Sequence, residues 1–202
     1  IGQANMLDEP NPDPYVQLLQ REYRFLQSKY QFLPVHGQAQ MLRMRPAGFP
    51  AVRLAQLAMF LHKNEHFFST ILTCETMQQL EQLLLITAND FWHYHYTLQE
   101  VTPFQPKHLG KEMGHQVIIN GIVPLVYAAG VRQQQPHYQQ MALNWLAVMP
   151  MENNAVQRFW KREGIQALNA AESQGLTELK TNYCPAKRCL DCHIGRIILN
   201  RK

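Results

Sequence analysis

The sequence predicts an all-α fold, a single domain of roughly ten helices. Apolar residues recur at three- and four-residue spacing through most of the chain, with Pro, Asp, Asn or Thr where such runs begin. No segment alternates convincingly between apolar and polar residues, and no internal repeat is present.

Residues 1–13 carry Asp8, Glu9 and Asp13, no Lys or Arg, and Pro10 and Pro12, which predicts a linker or arm continuing from a region that precedes this sequence. Asp13-Pro14 starts a helix: the carboxylate can cap free N–H groups and Pro fits the first turn. Leu18, Leu19, Tyr23, Leu26 and Tyr30 carry it to about Phe32. Short helices are predicted over Gln38–Arg43, Pro50–His62, Glu65–Cys74 and Met77–Ile86, the last capped by Thr76. Asn89 or Asp90 opens an aromatic turn, and the two prolines of Thr102–Pro106 make a loop. Glu112–Val131 is the most apolar helix, with Pro124 as a kink point. Its apolar part, Val117–Val131, is shorter than the ~20 residues of a membrane span. Pro136–Val148, Asn154–Glu163, Ala170–Thr181 and Cys189–Asn200 complete a helical domain over residues 14–202. Val117-Ile118-Ile119 and Ile197-Ile198-Leu199 suit strands by composition, but their flanks have helical period.

Hydrophobic residues make up 46% of the 202 positions and charged residues 17%, which excludes a disordered tail or a disulfide miniprotein. The 22 Gln keep helix propensity without charge. The net charge of +4 permits a nucleic-acid or acidic partner without requiring one. Four Cys are too few for a disulfide framework. With free thiols and no export signal at the start, the expected compartment is the cytoplasm.

The most specific chemical signal is a loop over residues 184–193. Cys184, Cys189 and Cys192 stand in C-x4-C-x2-C spacing and His193 follows directly. Zinc or an iron–sulfur cluster is the cofactor such a set would take, with a fourth ligand still to be found, His193 being one candidate. Lys187 and Arg188 would favour the thiolates. The structural alternative is reduced, packed thiols with Cys189 and Cys192 on one helical turn. His62-Lys63-Asn64-Glu65-His66 spells H-x-x-E-H, the inverted zinc-peptidase motif, with Glu152 as a nominal third ligand. That chemistry needs a continuous helix, and Lys63-Asn64 reads as a break. Phe91-Trp92-His93-Tyr94-His95-Tyr96 would stack bases if exposed and anchor a core if buried. Glu178-Leu179-Lys180, with Pro12-Asp13 upstream, matches a restriction-nuclease pattern that requires a strand, whereas its setting here is helical.

Basic residues gather in three places. Arg43, Arg45 and Arg53 bracket the turn Pro46–Pro50, which feeds a helix N-terminus, and Lys107 and Lys111 flank a second loop. Such groups make anion sites for a phosphate backbone. After Glu178, Lys180, Lys187, Arg188, Arg196, Arg201 and Lys202 face only Asp191. The bland alternative is a solvated face with internal ion pairs.

Several segments together resemble a bacterial family known as domain of unknown function 2851. They include Gly2-Gln3-Ala4 with Met6-Leu7, Leu19-Gln20-Arg21-Glu22-Tyr23, and Arg45-Pro46-Ala47-Gly48-Phe49-Pro50 with Arg53-Leu54-Ala55-Gln56-Leu57-Ala58. Phe91-Trp92, Leu109-Gly110-Lys111, Ile119-Asn120 with Val123-Pro124, and Tyr183-Cys184 with Lys187-Arg188-Cys189-Leu190-Asp191-Cys192 continue the likeness. Members of that family are about twice as long, so the resemblance implies a C-terminal half. Their N-terminal half resembles a restriction-endonuclease-like domain, which places nuclease chemistry outside this chain. The expectation is therefore a non-catalytic helical accessory domain associated with nucleic acid. The alternative is a structural or protein-interaction domain packing on its own N-terminal half; a zinc hydrolase using His62, Glu65 and His66 is a third reading. No membrane partner is expected.

Overall fold

The computed structural model describes residues 1–10, 12–33, 35 and 48–200, except for the side chain of Ile198. The helix expected over Gln38–Arg43 lies outside these residues. The fold is all-α. Among the described residues there is no strand, only two isolated bridges, Thr87 to His108 and His95 to Val101. Both segments with strand-like composition are helical.

The chain forms two compact units, Ile1–Phe67 with Leu83–Gly110, and Phe68–Gln82 with Lys111–Lys202. Each is assembled from two separate stretches, so no single cut in the sequence divides them.

In the first unit, α1 (Pro14–Tyr30) starts where Asp13 accepts a hydrogen bond from the Val16 N–H, and stops where Gln31 turns left-handed at φ 54°. The described part of residues 1–13, expected as a linker or arm, makes contacts with the unit. Ile1, Met6 and Leu7 pack on the core. A Cβ on Gly2 would stand 2.3 Å from the Tyr23 ring, so only glycine allows this approach. The Gln20 side chain donates to the Leu7 carbonyl at 2.9 Å. α2 (Pro50–Lys63) and α5 (Asp90–His93) complete the unit, whose core gathers Val16, Ala51, Val52, Ala55, Ala88, Trp92 and Leu98.

In the second unit, α3 (Phe67–Leu72) and α4 (Met77–Leu83) precede a helix continuous over Lys111–Arg132. That helix comprises α6 (Lys111–Val117), a π-helical stretch (Ile118–Ile122) and α7 (Val123–Arg132). The widened turn immediately precedes Pro124, where the missing N–H breaks the regular ladder. At 22 residues the whole helix is, by length and composition alone, long and apolar enough to cross a membrane, although its apolar part Val117–Val131 is shorter. Ile118, Ile119, Ile122, Val123 and Val126 on it are buried. α7 packs closely on α8 (Pro136–Val148).

α9 (Ala155–Arg162) is capped by Asn154, which accepts from the Gln157 N–H. α10 (Ala170–Glu178) is capped by Asn169, while Glu172 reaches back to the Leu168 N–H at 2.8 Å. A π-helical extension (Leu179–Tyr183) leads into the cysteine loop, and α11 (His193–Leu199) follows. Trp160, Ala167 and Leu176 form a core here. The Trp160 indole N–H donates to the Leu176 carbonyl at 2.8 Å, and Gln157 donates to the Ser173 carbonyl at 2.7 Å. These two bonds fix which face of α9 is inside.

Candidate functional site

Of the five basic residues singled out from the sequence as an anion site, three lie among the described residues. Arg43 and Arg45 lie outside the described residues. Arg53, on α2, is half-buried and donates to Gln56 at 2.9 Å, while Gln56 donates to the Lys107 carbonyl at 3.1 Å. Burial pushes the Arg53 guanidinium below its ordinary value. Lys107 is only 4% exposed. Its ammonium donates to the carbonyls of Gln105 at 2.9 Å and His93 at 3.5 Å and sits 3.9 Å from the centre of the Tyr96 ring. Burial pushes its pKa down as well. The Lys107 ammonium is thus enclosed and pins its own loop to α5, rather than standing exposed as an anion contact would. Lys111 belongs to the second unit, exposed, 3.5 Å from Glu81.

A further group of exposed basic residues lies near the C-terminus. Arg158, Lys161 and Arg162 are all exposed. Their i, i+3, i+4 spacing places them on one face of α9, away from buried Gln157 and Trp160. Lys187 and Arg196 are also exposed, and among the described residues neither they nor the α9 trio pair with a carboxylate. Arg188 pairs with Asp191 at 3.2 Å and lies over the Tyr183 ring. Lys180 lies 3.5 Å from the Phe159 ring centre. The first three of these residues escaped the sequence reading because they sit between helix caps and carry no motif.

Cys184, Cys189 and Cys192 line one pocket of about 210 Å3 with Trp160, Tyr183 and Ile194. All three are free thiols; Cys184 and Cys189 are exposed and Cys192 is partly so. His193 is exposed and does not line the pocket. Among the described residues no group of three or more His, Cys, Asp or Glu side chains could hold a metal ion. The expected zinc or iron–sulfur site, with His193 as one candidate for the fourth ligand, therefore does not fit the arrangement of the described residues. Cys74 lies elsewhere, buried, its thiol donating to the Thr70 carbonyl at 3.3 Å and pushed up in pKa by desolvation.

The H-x-x-E-H segment does not make a metal site either. His62 is in the last turn of α2, which ends at Asn64 with φ −129° and ψ 71°. The Asn64 side chain donates to the Phe60 carbonyl at 2.9 Å and closes the helix, leaving Glu65 and His66 beyond it. Glu152 bonds Gln174 at 2.5 Å. The zinc-hydrolase reading fails on the broken helix. Part of the aromatic run is core: Trp92 is fully buried with its N–H 3.2 Å from the Tyr15 hydroxyl, and Phe91 stacks on Tyr15 and His95, whereas Tyr94 is exposed. Glu178-Leu179-Lys180 is helical, as expected.

One polar groove was not visible in the sequence. His115 Nε2 lies 2.6 Å from Glu81, which also faces Lys111. The His115 hydrogen bond, with the nearby positive charges, holds the Glu81 carboxyl below its ordinary value. The groove encloses about 580 Å3 and is lined by Glu75, Met77 and Trp145 as well. The Trp145 indole N–H is buried without a partner. Glu81 and His115 are 34 positions apart, and no local pattern links them.

Residues 1–155 match the family described as protein of unknown function, DUF2851. The chain belongs to the DUF2851 family. Comparison with curated proteins gives no match, and comparison with solved structures gives none. The DUF2851 match ends at the start of α9, so the basic face and the thiol pocket both lie outside it.

Proposed function

We propose that this DUF2851 chain is a non-catalytic helical accessory domain that associates with nucleic acid. It would serve a restriction-endonuclease-like domain carried outside this sequence. The observation that supports the reading is the α9 face, where Arg158, Lys161 and Arg162 stand exposed together without carboxylate partners, with Lys187 and Arg196 exposed in the same unit. Unpaired guanidinium and ammonium groups on a rigid helix contact phosphates without reading bases, so the binding would be salt-dependent and tolerant of sequence.

Fluorescence anisotropy with a labelled duplex across a salt series tests it. Replacing Arg158, Lys161 and Arg162 together by Ala should flatten the plot of log affinity against log salt by about one unit per lost phosphate contact. Absence of binding at low salt, or a slope unchanged in the triple variant, refutes the reading.

A second reading, docking on another protein segment, is favoured by α1. Phe25, Tyr30 and Leu33 at and beyond its C-terminal end are more than half exposed. Co-purification with a separately expressed N-terminal half, lost on Phe25→Asp, would support it over nucleic-acid association.

A further inference from the structure

We propose that the groove lined by α4, α6 and the C-terminal end of α8 binds a small organic cation, a protonated amine carried on an apolar body. Every residue lining it belongs to the second unit. At about 580 Å3 it falls in the size range of small-molecule sites.

Three observations select positive charge. Glu75 and Glu81 both line the groove, against a single lysine, Lys111. Glu75 is exposed and has no ion pair among the described residues. Glu81 is held in place yet only partly used. His115 Nε2 at 2.6 Å and Lys111 Nζ at 3.5 Å make their closest approach to the same oxygen, Oε1, which leaves Oε2 as the freer acceptor. The last turn of α8 meets the groove at Val148, Met149 and Pro150, and the carbonyl end of a 13-residue helix favours a cation.

The rest of the lining selects the kind of cation. Among the described residues no three His, Cys, Asp or Glu side chains group as metal ligands, so a bare metal ion has no ligand set here. An ammonium is satisfied by a few acceptors, and its carbon body needs apolar surface instead. The groove supplies that surface: Trp145 and Met149 are almost fully buried beneath it, with Met77 and the exposed Val148 beside them. Thioether side chains adapt to bodies of different shape, which suits an aliphatic or an aromatic amine.

The test uses the full chain with isotope-labelled methionine methyl groups, observed by NMR. Met77→Leu and Met149→Leu identify the two methyl signals at the groove. The probes are butylamine, phenethylamine and agmatine, with phenethyl alcohol as the neutral counterpart and hydrocinnamate as the anionic one. At least one amine should shift both signals saturably at millimolar concentration or below. Phenethyl alcohol should bind about tenfold more weakly than phenethylamine, and hydrocinnamate more weakly still. Glu81→Gln should weaken amine binding about tenfold, whereas Glu163→Gln, at the end of α9, should leave it unchanged. The comparison of amine with alcohol is made on the unmutated chain, so it stands independently of variant folding. Equal affinity for amine and alcohol, tighter binding of the carboxylate, no shift with any of the three amines at about 10 mM, or undiminished amine binding in folded Glu81→Gln would each overturn the proposal. None of these results depends on whether nucleic acid binds.

Discussion

Two glycines in the second unit should respond in opposite directions to the same substitution. Gly175 lies inside α10, exposed, and a Cβ there meets nothing within 4 Å. Gly130 lies inside α7, buried, where α7 and α8 pack together. A Cβ at Gly130 would meet the Gln135 carbonyl oxygen and the Gln139 backbone nitrogen, each at 3.0 Å, and Gln139 Cγ at 2.9 Å. The side-chain atom can swing away, but the two backbone atoms belong to the start of α8 and move only if the helix moves. In Gly175→Ala only the propensity term acts, so stability should rise by about 1 kcal/mol. In Gly130→Ala the same gain is opposed by overpacking of about 1–3 kcal/mol, leaving a net loss of about 1 kcal/mol. The two variants should therefore differ by about 2 kcal/mol, or roughly 4–8 °C in melting temperature for a chain of this size. Urea unfolding followed by far-UV circular dichroism measures both. Because both positions lie in one unit, separate unfolding of the two units does not confound the comparison. If Gly130→Ala stabilises as much as Gly175→Ala, the close helix approach described here is wrong.

The Glu81–His115 pair adds a pH dependence. A carboxyl held below its ordinary value contributes stability above the unfolded carboxylate range and loses it as pH falls through the folded value. His115→Ala should thus lower stability at neutral pH by about 1 kcal/mol or less, Glu81 being one-third exposed, and the difference should vanish in acid urea titrations. Lys107→Met should leave duplex affinity and its salt slope unchanged while the α9 triple variant alters both; a matching loss in Lys107→Met would show that its ammonium reaches phosphate after all.

Helix starts were well marked in the sequence because their chemistry is local. Asp13, Asn154 and Asn169 each cap a helix with their own side chain, and Pro14, Pro50 and Pro136 each open one. The two π-helical stretches were not foreseeable, since one extra residue in a turn leaves the apolar spacing almost intact. The cysteine loop was visible because its spacing is short, and the structure places all three thiols on one pocket. The burial of Lys107 was not legible because a lysine in a loop reads as exposed. Its burial follows from Gln105, His93 and Tyr96 meeting it from neighbouring segments, which no windowed pattern contains. The Glu81 groove was missed for the same reason.

The family match and the charge distribution divide the chain at nearly the same place. Through residue 155 there are ten Lys and Arg against eleven Asp and Glu, a net of −1. From residue 156 onward there are nine against four, a net of +5. The whole positive excess therefore belongs to the segment beyond the DUF2851 match. That segment also holds the three thiols, and α9 joins the two features. Its outer face carries Arg158, Lys161 and Arg162, while Trp160 on its inner face lines the thiol pocket. A helix of eight residues has little stability of its own, so the position of the outer charges depends on what anchors the inner face. The Trp160–Leu176 hydrogen bond is one such anchor. The orientation of the outer charges is thus set by packing on the opposite side of one short element.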